Sequence, residues 1–581
     1  MSEQGGSVKP GNGDEGTKPQ KVQSAAATPS GEPASRSGQR DRRVGWGRYL
    51  VAPRPPGLLA GGVPPIEASA LFTLLEEDPN VEPVAQVRPS RSRGLGAIAE
   101  PHAACPPVAV VMMPEERARA LAANPQVVVE IDQPLTYTPA SWASGGLGTA
   151  TPVSDPALTV PLAEPGRLSV RVQGADGDTA AGAHVWAVGT GATAHAVTGP
   201  DGRAELTLAA DTPATLKALY VRPASDYWPL RLDDPRLRDG AETTVELTAL
   251  AQTFEGFPGQ AVTGWGWQAM RLHQIPPTYR GHGIKIALID SGVDITHPDL
   301  KDTVHTGYDF TRLSGERTWH TDATGHGTWC AGIIAAADNR TGITGIAAEA
   351  ELHALKLFPG GHVSDLLEAV DYCITHHVDI AQLNLAYPLP SQLVAWKLLD
   401  AHTAGIAVIA PAGDTAGPLT QPAALPHVLA VGALAHTGTQ PTGGTALLQP
   451  PWPGLYPAPF TATGPGVDLA APGTAIITTG PGGGYTPADG TAIAASHVTG
   501  LAALLLAHHD HLRTHATPRT PARTSQLYTL LRTACRPVPA ADPARTGAGI
   551  ADAPTALGIA TTWQYSPAAD QPFTAAGYRQ P

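Results

Sequence analysis

IKIALIDSGVDITHPDL, residues 284–300, is the stretch from which the rest of this 581-residue chain is read. Ile284–Ile289 is a short apolar run closed by Asp290-Ser291-Gly292, as expected of a strand buried on both faces. Further along, Glu351–Leu357, Ile380–Leu385 and Ile406–Ala410 are runs of the same kind. Between them Gly327–Ala336, Val363–His376 and Ser391–Ala404 carry helical spacing. Strands alternating with helices predict an α/β domain, a central parallel sheet with helices on both faces. Two more segments belong with the first: Gly325-His326-Gly327-Thr328 opens one apolar helix, and Asp489-Gly490-Thr491-Ala492-Ile493-Ala494-Ala495-Ser496-His497-Val498 opens another. A carboxylate ending a buried strand and a histidine starting a helix are the base-orienting half of a nucleophilic triad. Imidazole takes the nucleophile's proton, and the carboxylate holds its tautomer and stabilises the imidazolium.

Composition narrows the alternatives. Asp and Glu number 51 against 38 Lys and Arg, a net charge of −13. Phosphate-backbone binding needs a positive footprint, so nucleic acid is not an expected partner. The 63 glycines and 58 prolines make about a fifth of the chain, above ordinary usage, and predict long loops. Cys105, Cys330, Cys373 and Cys535 have neither metal-site nor disulfide-framework spacing. The first 45 residues contain no apolar signal core, so a cytoplasmic location is expected. The longest apolar run, near Gly500–Ala507, is about eight residues against the roughly 20 that a membrane span needs, so none is expected.

Ahead of the α/β domain the chain divides into several parts. Residues 1–45 are polar and expected to be disordered. In 46–138, strands at Arg48–Pro53, Val81–Val87, Val108–Met113 and Val127–Asp132 enclose helices at Ile66–Glu77 and Glu115–Ala123, a βαββαβ unit of ferredoxin-like order. Residues 139–165 read as a linker. In 166–250, strands at Arg167–Val172, Ala183–Val188, Ala194–Thr198, Ala204–Leu208 and Thr243–Leu247, with turns at 176–178 and 200–203, predict a small β-sandwich. It resembles carboxypeptidase-regulatory modules and reads as a spacer. The α/β domain runs from 265 to 562, and 563–581 reads as a tail.

The three blocks IALIDSGVDITHPDL, GHGTWCAGIIAA and GTAIAASHVTGLAALLL, in that order, resemble the catalytic blocks of the subtilisin family of serine peptidases. The segments QPAALPHVLAVGAL (421–434) and DLAAPG (468–473) match intervening family stretches. The resemblance implies a three-layer fold, with Asp290 as orienting acid and His326 as general base. The family reads Gly-Thr-Ser-x-Ala where this chain reads Gly490-Thr491-Ala492-Ile493-Ala494, so the nucleophile position carries a methyl group. Ser496 lies one helical turn on, about 6 Å along the axis, too far to substitute without shifting the helix. At the oxyanion position, after Gly413, the family's asparagine is Asp414, which repels a developing oxyanion when ionised and donates to it when protonated. Asn384-Leu385-Ala386 and Gly360-Gly361 match the two substrate-pairing segments, and Ala386 replaces a glycine at the pocket entrance.

The resemblance has further implications. Asp299 and Asn339 match carboxylate and amide ligands of a family Ca²⁺ site, against the plainer reading of a polar turn; no other cofactor is expected. Cys330 is expected to be an inert buried thiol, and His376-His377 and His508-His509 to be surface residues. The βαββαβ unit resembles the family's propeptide, so peptide or protein substrates and this unit itself are the expected partners. A permanently attached module is the alternative. Two functions follow: an endopeptidase whose serine has been replaced, or a natural pseudoprotease that binds peptides in the groove. Either way the chain as written is expected to be inactive.

Overall fold

Strands β1 (Trp46–Pro53), β2 (Glu82–Val87), β3 (Val108–Pro114) and β4 (Val127–Ile131), with helices α1 (Ala68–Glu77) and α2 (Glu115–Ala122), form a sheet in the order β2-β3-β1-β4. One face, through Val51, Ala109, Val111 and Val127, packs on Leu71, Leu75 and Ala118 of the two helices. The other, through Leu50, Ala52, Val108, Val110 and Val128, shares a core with Leu366, Leu367, Leu393 and Leu398 of the α/β domain. Burial on both faces accounts for the unbroken apolar runs at Leu50–Ala52 and Val108–Met113, since neither face is left to be polar. The computed structural model describes residues 45–87, 105–136, 165–190, 193–238, 240–311, 318–439, 454–513 and 518–559. The expected disordered segment, nearly all of the linker at 139–165 and the tail at 563–581 lie outside the described residues.

Seven strands build the next unit: β5 (Gly166–Gly174), β6 (His184–Val188), β7 (Ala194–Val197), β8 (Arg203–Leu208), β9 (Ala218–Arg222), β10 (Leu230–Asp233) and β11 (Glu242–Leu247). They form two sheets, β10-β9-β6-β7 and β11-β5-β8, around Val170, Val172, Val185, Leu206 and Leu219. Strands β9 and β10 are absent from the sequence reading. Ala218–Val221 is buried on both sides and so lacks alternation, and β10 is only four residues long. The spacer expectation also needs correcting. Trp228 packs in one core with Leu250, Phe254, Phe257, Ile343, Ile477 and Tyr485, which seats the sandwich directly on the α/β domain.

The α/β domain contains β12 (Lys285–Asp290), β13 (Thr306–Asp309), α3 (His326–Ala335), β14 (Glu351–Lys356), α4 (Val363–Thr375), β15 (Ile380–Leu383), α5 (Gln392–Thr403), β16 (Ala407–Pro411), β17 (Val428–His436), β18 (Leu455–Pro457), β19 (Leu469–Pro472), β20 (Ile476–Thr479), β21 (Tyr485–Ala488), α6 (Thr491–His508) and α7 (Pro521–Thr533). Its main sheet runs β13-β14-β12-β15-β16-β17-β18, with β19 beside β17. The pairings of β12, β13, β14, β15, β16, β17 and β19 are parallel, and β18 joins antiparallel. The chain leaves β12 for one side of the sheet and returns to the other. Such a switch point opens a crevice at the strands' carboxyl ends, and Asp290 closes β12 there. Every residue of α3, and of α6 from Thr491 to Leu506, is buried. Helices apolar all round belong in a core. By length and composition α6 could cross a membrane, but 89% of it is covered by the fold.

Candidate active site

Loop and helix chemistry together set the position of His326, the first residue of α3. Asp322 accepts from the amides of Thr324, Gly325 and Thr328 at 3.1, 2.9 and 2.9 Å and from the Thr328 hydroxyl at 2.8 Å, tying down the first turn. Those amides lack partners within the helix, and an acid at this end also suits the helix dipole. Gly325 has φ +84°, which side-chain-bearing residues rarely adopt. A Cβ on Gly327 would overlap the carbonyl oxygen of Gly292, so only glycine lets the helix approach the turn after β12.

In that turn the Asp290 carboxylate meets the imidazole, with His326 Nδ1 2.9 Å from both oxygens. Asp290 also accepts from the Ser291 amide at 2.7 Å and from Asn384 Nδ2 at 2.7 Å. Burial alone would make the imidazole harder to protonate, but the carboxylates of Asp290, Asp322 and Asp414 outweigh it and raise its pKa. The ring is therefore a competent proton acceptor, with its tautomer set by Asp290.

His326, Asn384, Leu385, Ala386, Gly413, Asp414, Thr491 and Ala492 line one open cleft of ≈ 340 Å³. Asp414 is 4% exposed, and its Oδ1 accepts from the Thr491 amide at 2.8 Å. Burial pushes its carboxyl up to about 6, against the pull of the Thr491 hydrogen bonds and of His326. The Gly413 amide donates to Thr491 Oγ1 at 3.1 Å. Ser496 is fully buried; its hydroxyl donates to the Ala492 carbonyl and accepts from Gln382 Nε2, both at 2.9 Å. It faces the protein interior and not the cleft. The Cys330 thiol is fully buried 3.3 Å from Asn384 Nδ2, and burial raises its pKa well above the usual thiol range.

The groove beside this cleft holds a strand of the same chain. The Leu135 amide donates to the Gly361 carbonyl at 2.9 Å, and Thr136 exchanges two hydrogen bonds with Ala386, at 2.9 and 2.5 Å. Upstream, the Val363 amide donates to the Gln133 carbonyl at 3.0 Å, and Asp132 accepts from the Ser364 amide and hydroxyl, both at 2.8 Å. Glu130 accepts from Ser391 Oγ at 2.6 Å and the Gln392 amide at 2.7 Å. Residues 133–136 thus lie between the two segments expected to pair with substrate. Gly360 sits in the adjoining turn at φ +92°.

Several sequence expectations change at this level. Asn384 lines the cleft, and its side chain also donates to Asp290 from just after β15, a role the sequence reading did not give it. Asp322 was missed, although an acid four residues before His326 is a helix-anchoring signal. Of the histidines expected at the surface, His509 is buried at 9% exposure, and His508 is half-buried, stacked on Tyr279 at 4.2 Å and accepting from the Arg280 amide.

Asp299 and Asn339 meet as partners of each other. Asn339 Nδ2 donates to Asp299 Oδ1 at 2.9 Å, while Oδ2 takes the Tyr485 hydroxyl at 2.9 Å and the Ile343 amide at 3.1 Å. The Asn339 oxygen turns into its own loop, accepting from Thr341 N and Oγ1 at 2.9 and 2.8 Å. Calcium needs six to eight oxygens aimed at one point; here donors cover the carboxylate and the amide oxygen faces away, so these residues do not fit the ion. Chelation by EDTA is accordingly expected to move the melting temperature by no more than about 2 °C, since a ligand that does not bind contributes no linkage. A calcium-reversible fall of about 10 °C would overturn this.

A profile of the subtilase family matches residues 281–552. Subtilisin of Bacillus pumilus is 33% identical over 239 residues, which are 40% of this chain and 79% of that protein. Subtilisin E of Bacillus subtilis (strain 168) has the same identity over 239 residues, 57% of its length. An alkaline protease of Shouchella clausii is 31% identical over 301 residues, 51% of this chain and 67% of the relative. The chain thus spans little more than half the length of some curated relatives. With this coverage of whole relatives, and with the Asp290–His326 pair opening on the cleft, the chain belongs to the subtilase family.

Proposed function

We propose that this protein is a subtilisin-type serine endopeptidase whose nucleophile position is occupied by Ala492 and whose N-terminal unit acts as its propeptide. The observation that carries the proposal is His326, held by the buried Asp290, lining one cleft with Ala492 while the chain's own residues 133–136 lie in the adjoining groove. A serine at 492 would pass its proton to His326, Asp290 would stabilise the resulting imidazolium, and Asp414, when protonated, would donate to the oxyanion. Substrate would bind as an extended strand between Gly361 and Ala386, the arrangement Leu135 and Thr136 adopt. A methyl group has no proton to give, so the chain as written should not turn over peptides. Hydrolysis by the purified Ala492 protein, blocked by serine-directed reagents, would refute this. Restoring the hydroxyl by Ala492→Ser tests the family chemistry itself.

A pseudoprotease is the second reading, favoured by Asp414, which is charged above about pH 6 where the chemistry needs a donor, and by Ala386 in place of glycine. Both readings make the strand at 133–136 a competitor for the groove. Thr136→Pro deletes the amide that donates to Ala386, and loss of one such bond, worth about 1 kcal/mol, should raise the affinity of an added peptide by about fivefold. Fluorescence anisotropy of a labelled extended peptide measures this. An unchanged affinity would mean that the strand does not guard the groove.

A further inference from the structure

We propose that the β-sandwich is part of the catalytic centre, with Arg222 as a positioning residue that holds Trp329 against the general base His326. The inference rests on the peptidase reading of the cleft, but its first test does not need turnover.

Arg222 ends β9, and its guanidinium carbon lies 4.3 Å from the centroid of the Trp329 ring. Trp329 follows His326 by three positions on α3, the spacing that puts two side chains on one helix face. Its ring centroid is 5.8 Å from that of the imidazole. The indole also packs back over the turn that sets His326, because a Cβ on Gly325 would lie 3.0 Å from Trp329 Nε1. A planar cation over an indole face is held by the ring quadrupole, more strongly where water is excluded, and Trp329 is 9% exposed. The sandwich thus holds the ring that neighbours the base.

The same guanidinium also acts electrostatically on the turn ahead of residue 492, and the segment that carries it is bonded to the strand leading there. Asp489, directly ahead of Gly490-Thr491-Ala492, is buried; burial raises its pKa and Arg222 opposes that rise. Asp489 Oδ1 accepts from the Ala475 amide at 2.6 Å, which holds the turn to the segment before β20. The register of the docking is set nearby. The Asp226 amide donates to the Tyr485 carbonyl at 2.6 Å, and the Tyr485 amide donates to Asp226 Oδ1 at 3.0 Å. Tyr485 opens β21, which leads straight into Asp489 and α6. One short segment of the sandwich, 222–226, is therefore fastened to both chain segments that present catalytic positions.

The charged groups around the imidazole are Asp290 after β12, Asp322 ahead of α3 and Asp414 after β16; Arg222 is the cation on the Trp329 side. Removing it should raise the His326 pKa and loosen the ring. The test is imidazole NMR titration of the full Ala492 chain, the His326 signal being assigned by its loss in His326→Gln. Arg222→Gln is expected to raise the apparent pKa by at least about half a unit, a threefold change in the protonation equilibrium. Trp329→Leu should shift it too, with the double variant no further shifted than the larger single one, as for two residues acting through one contact. Arg222→Lys keeps the charge without the planar stack and should fall between.

An unchanged His326 titration in Arg222→Gln, with only a lower melting temperature, would reduce Arg222 to an interdomain contact and overturn the proposal. If Arg222→Gln does not fold, the Arg222→Lys and Trp329→Leu titrations decide it by the same criterion. In an Ala492→Ser background, Arg222→Gln should lower kcat about tenfold with KM within about twofold, the split expected of a group acting on the base and not on substrate. Absence of activity with Arg222 intact would count against the peptidase reading and leave the titration result standing.

Discussion

Ala492→Ser is expected to convert a silent chain into one that hydrolyses peptides and reacts with fluorophosphonates at residue 492. His326 Nδ1 is committed to Asp290, so the base function falls to Nε2, and the cleft lacks only an oxygen to deprotonate. In the subtilisin relatives, whose value is carried over here, loss of the serine costs about 2 × 10⁶ in kcat. The ionised Asp414 should withhold about tenfold of that gain at pH 7, one unit above its value of about 6, where about a tenth of the carboxyl still carries its proton. The net expectation is therefore a rise of about 10⁵ at pH 7. Chromogenic peptide turnover and mass spectrometry of the labelled peptide measure it. No label and no turnover, in a protein whose His326 still titrates, would leave the peptide-binding reading in its place.

Asp414→Asn in the same Ala492→Ser background should then raise the rate at pH 8 by about 10², because only about a hundredth of the carboxyl is protonated there while an amide donates to the oxyanion at every pH. The sign follows from the two groups that must cooperate. Asp414 donates only while protonated, below about 6, whereas His326 must be neutral and its pKa is raised. With Asp414 present, activity should be confined to a narrow bell whose limbs belong to the coupled pair. The asparagine should remove the alkaline limb and keep the acid one. Stability should change in parallel. The folded carboxyl holds its proton more tightly than the unfolded chain, whose value is 3.8, so its contribution is full below 3.8 and is lost as pH rises through about 6. Asp414→Asn should accordingly raise the melting temperature at pH 8 and hardly alter it at pH 4. A broad bell already present with Asp414, or a pH-independent melting difference, would remove this carboxyl from the oxyanion site.

Local chemistry is legible in the sequence, whereas partners from far along the chain are not. The buried run ending in Asp290 and the helix opened by His326 identify themselves, because strand burial and helix capping are written in neighbouring residues. The Asn384–Asp290 hydrogen bond went unread because the two residues are 94 positions apart. β9 escaped notice because a strand covered on both faces loses the alternation that marks a half-buried one. The Asp299–Asn339 pair matched a ligand pattern by type and spacing, but side-chain rotation and the Tyr485 hydroxyl decide what those oxygens can hold.

Residue order alone was enough for the α/β class, which depends on periodicity, and for the three blocks whose resemblance implies the acid, base and nucleophile positions, because that likeness depends on the identity of single side chains, which folding does not alter. Packing settled everything that requires two distant surfaces to meet: Leu135 and Thr136 between Gly361 and Ala386, the carboxyl of Asp414 pushed up by burial, and Arg222 over Trp329. Burial and Coulomb interactions depend on distance in space, and separation along the chain carries no information about that distance until the core has closed.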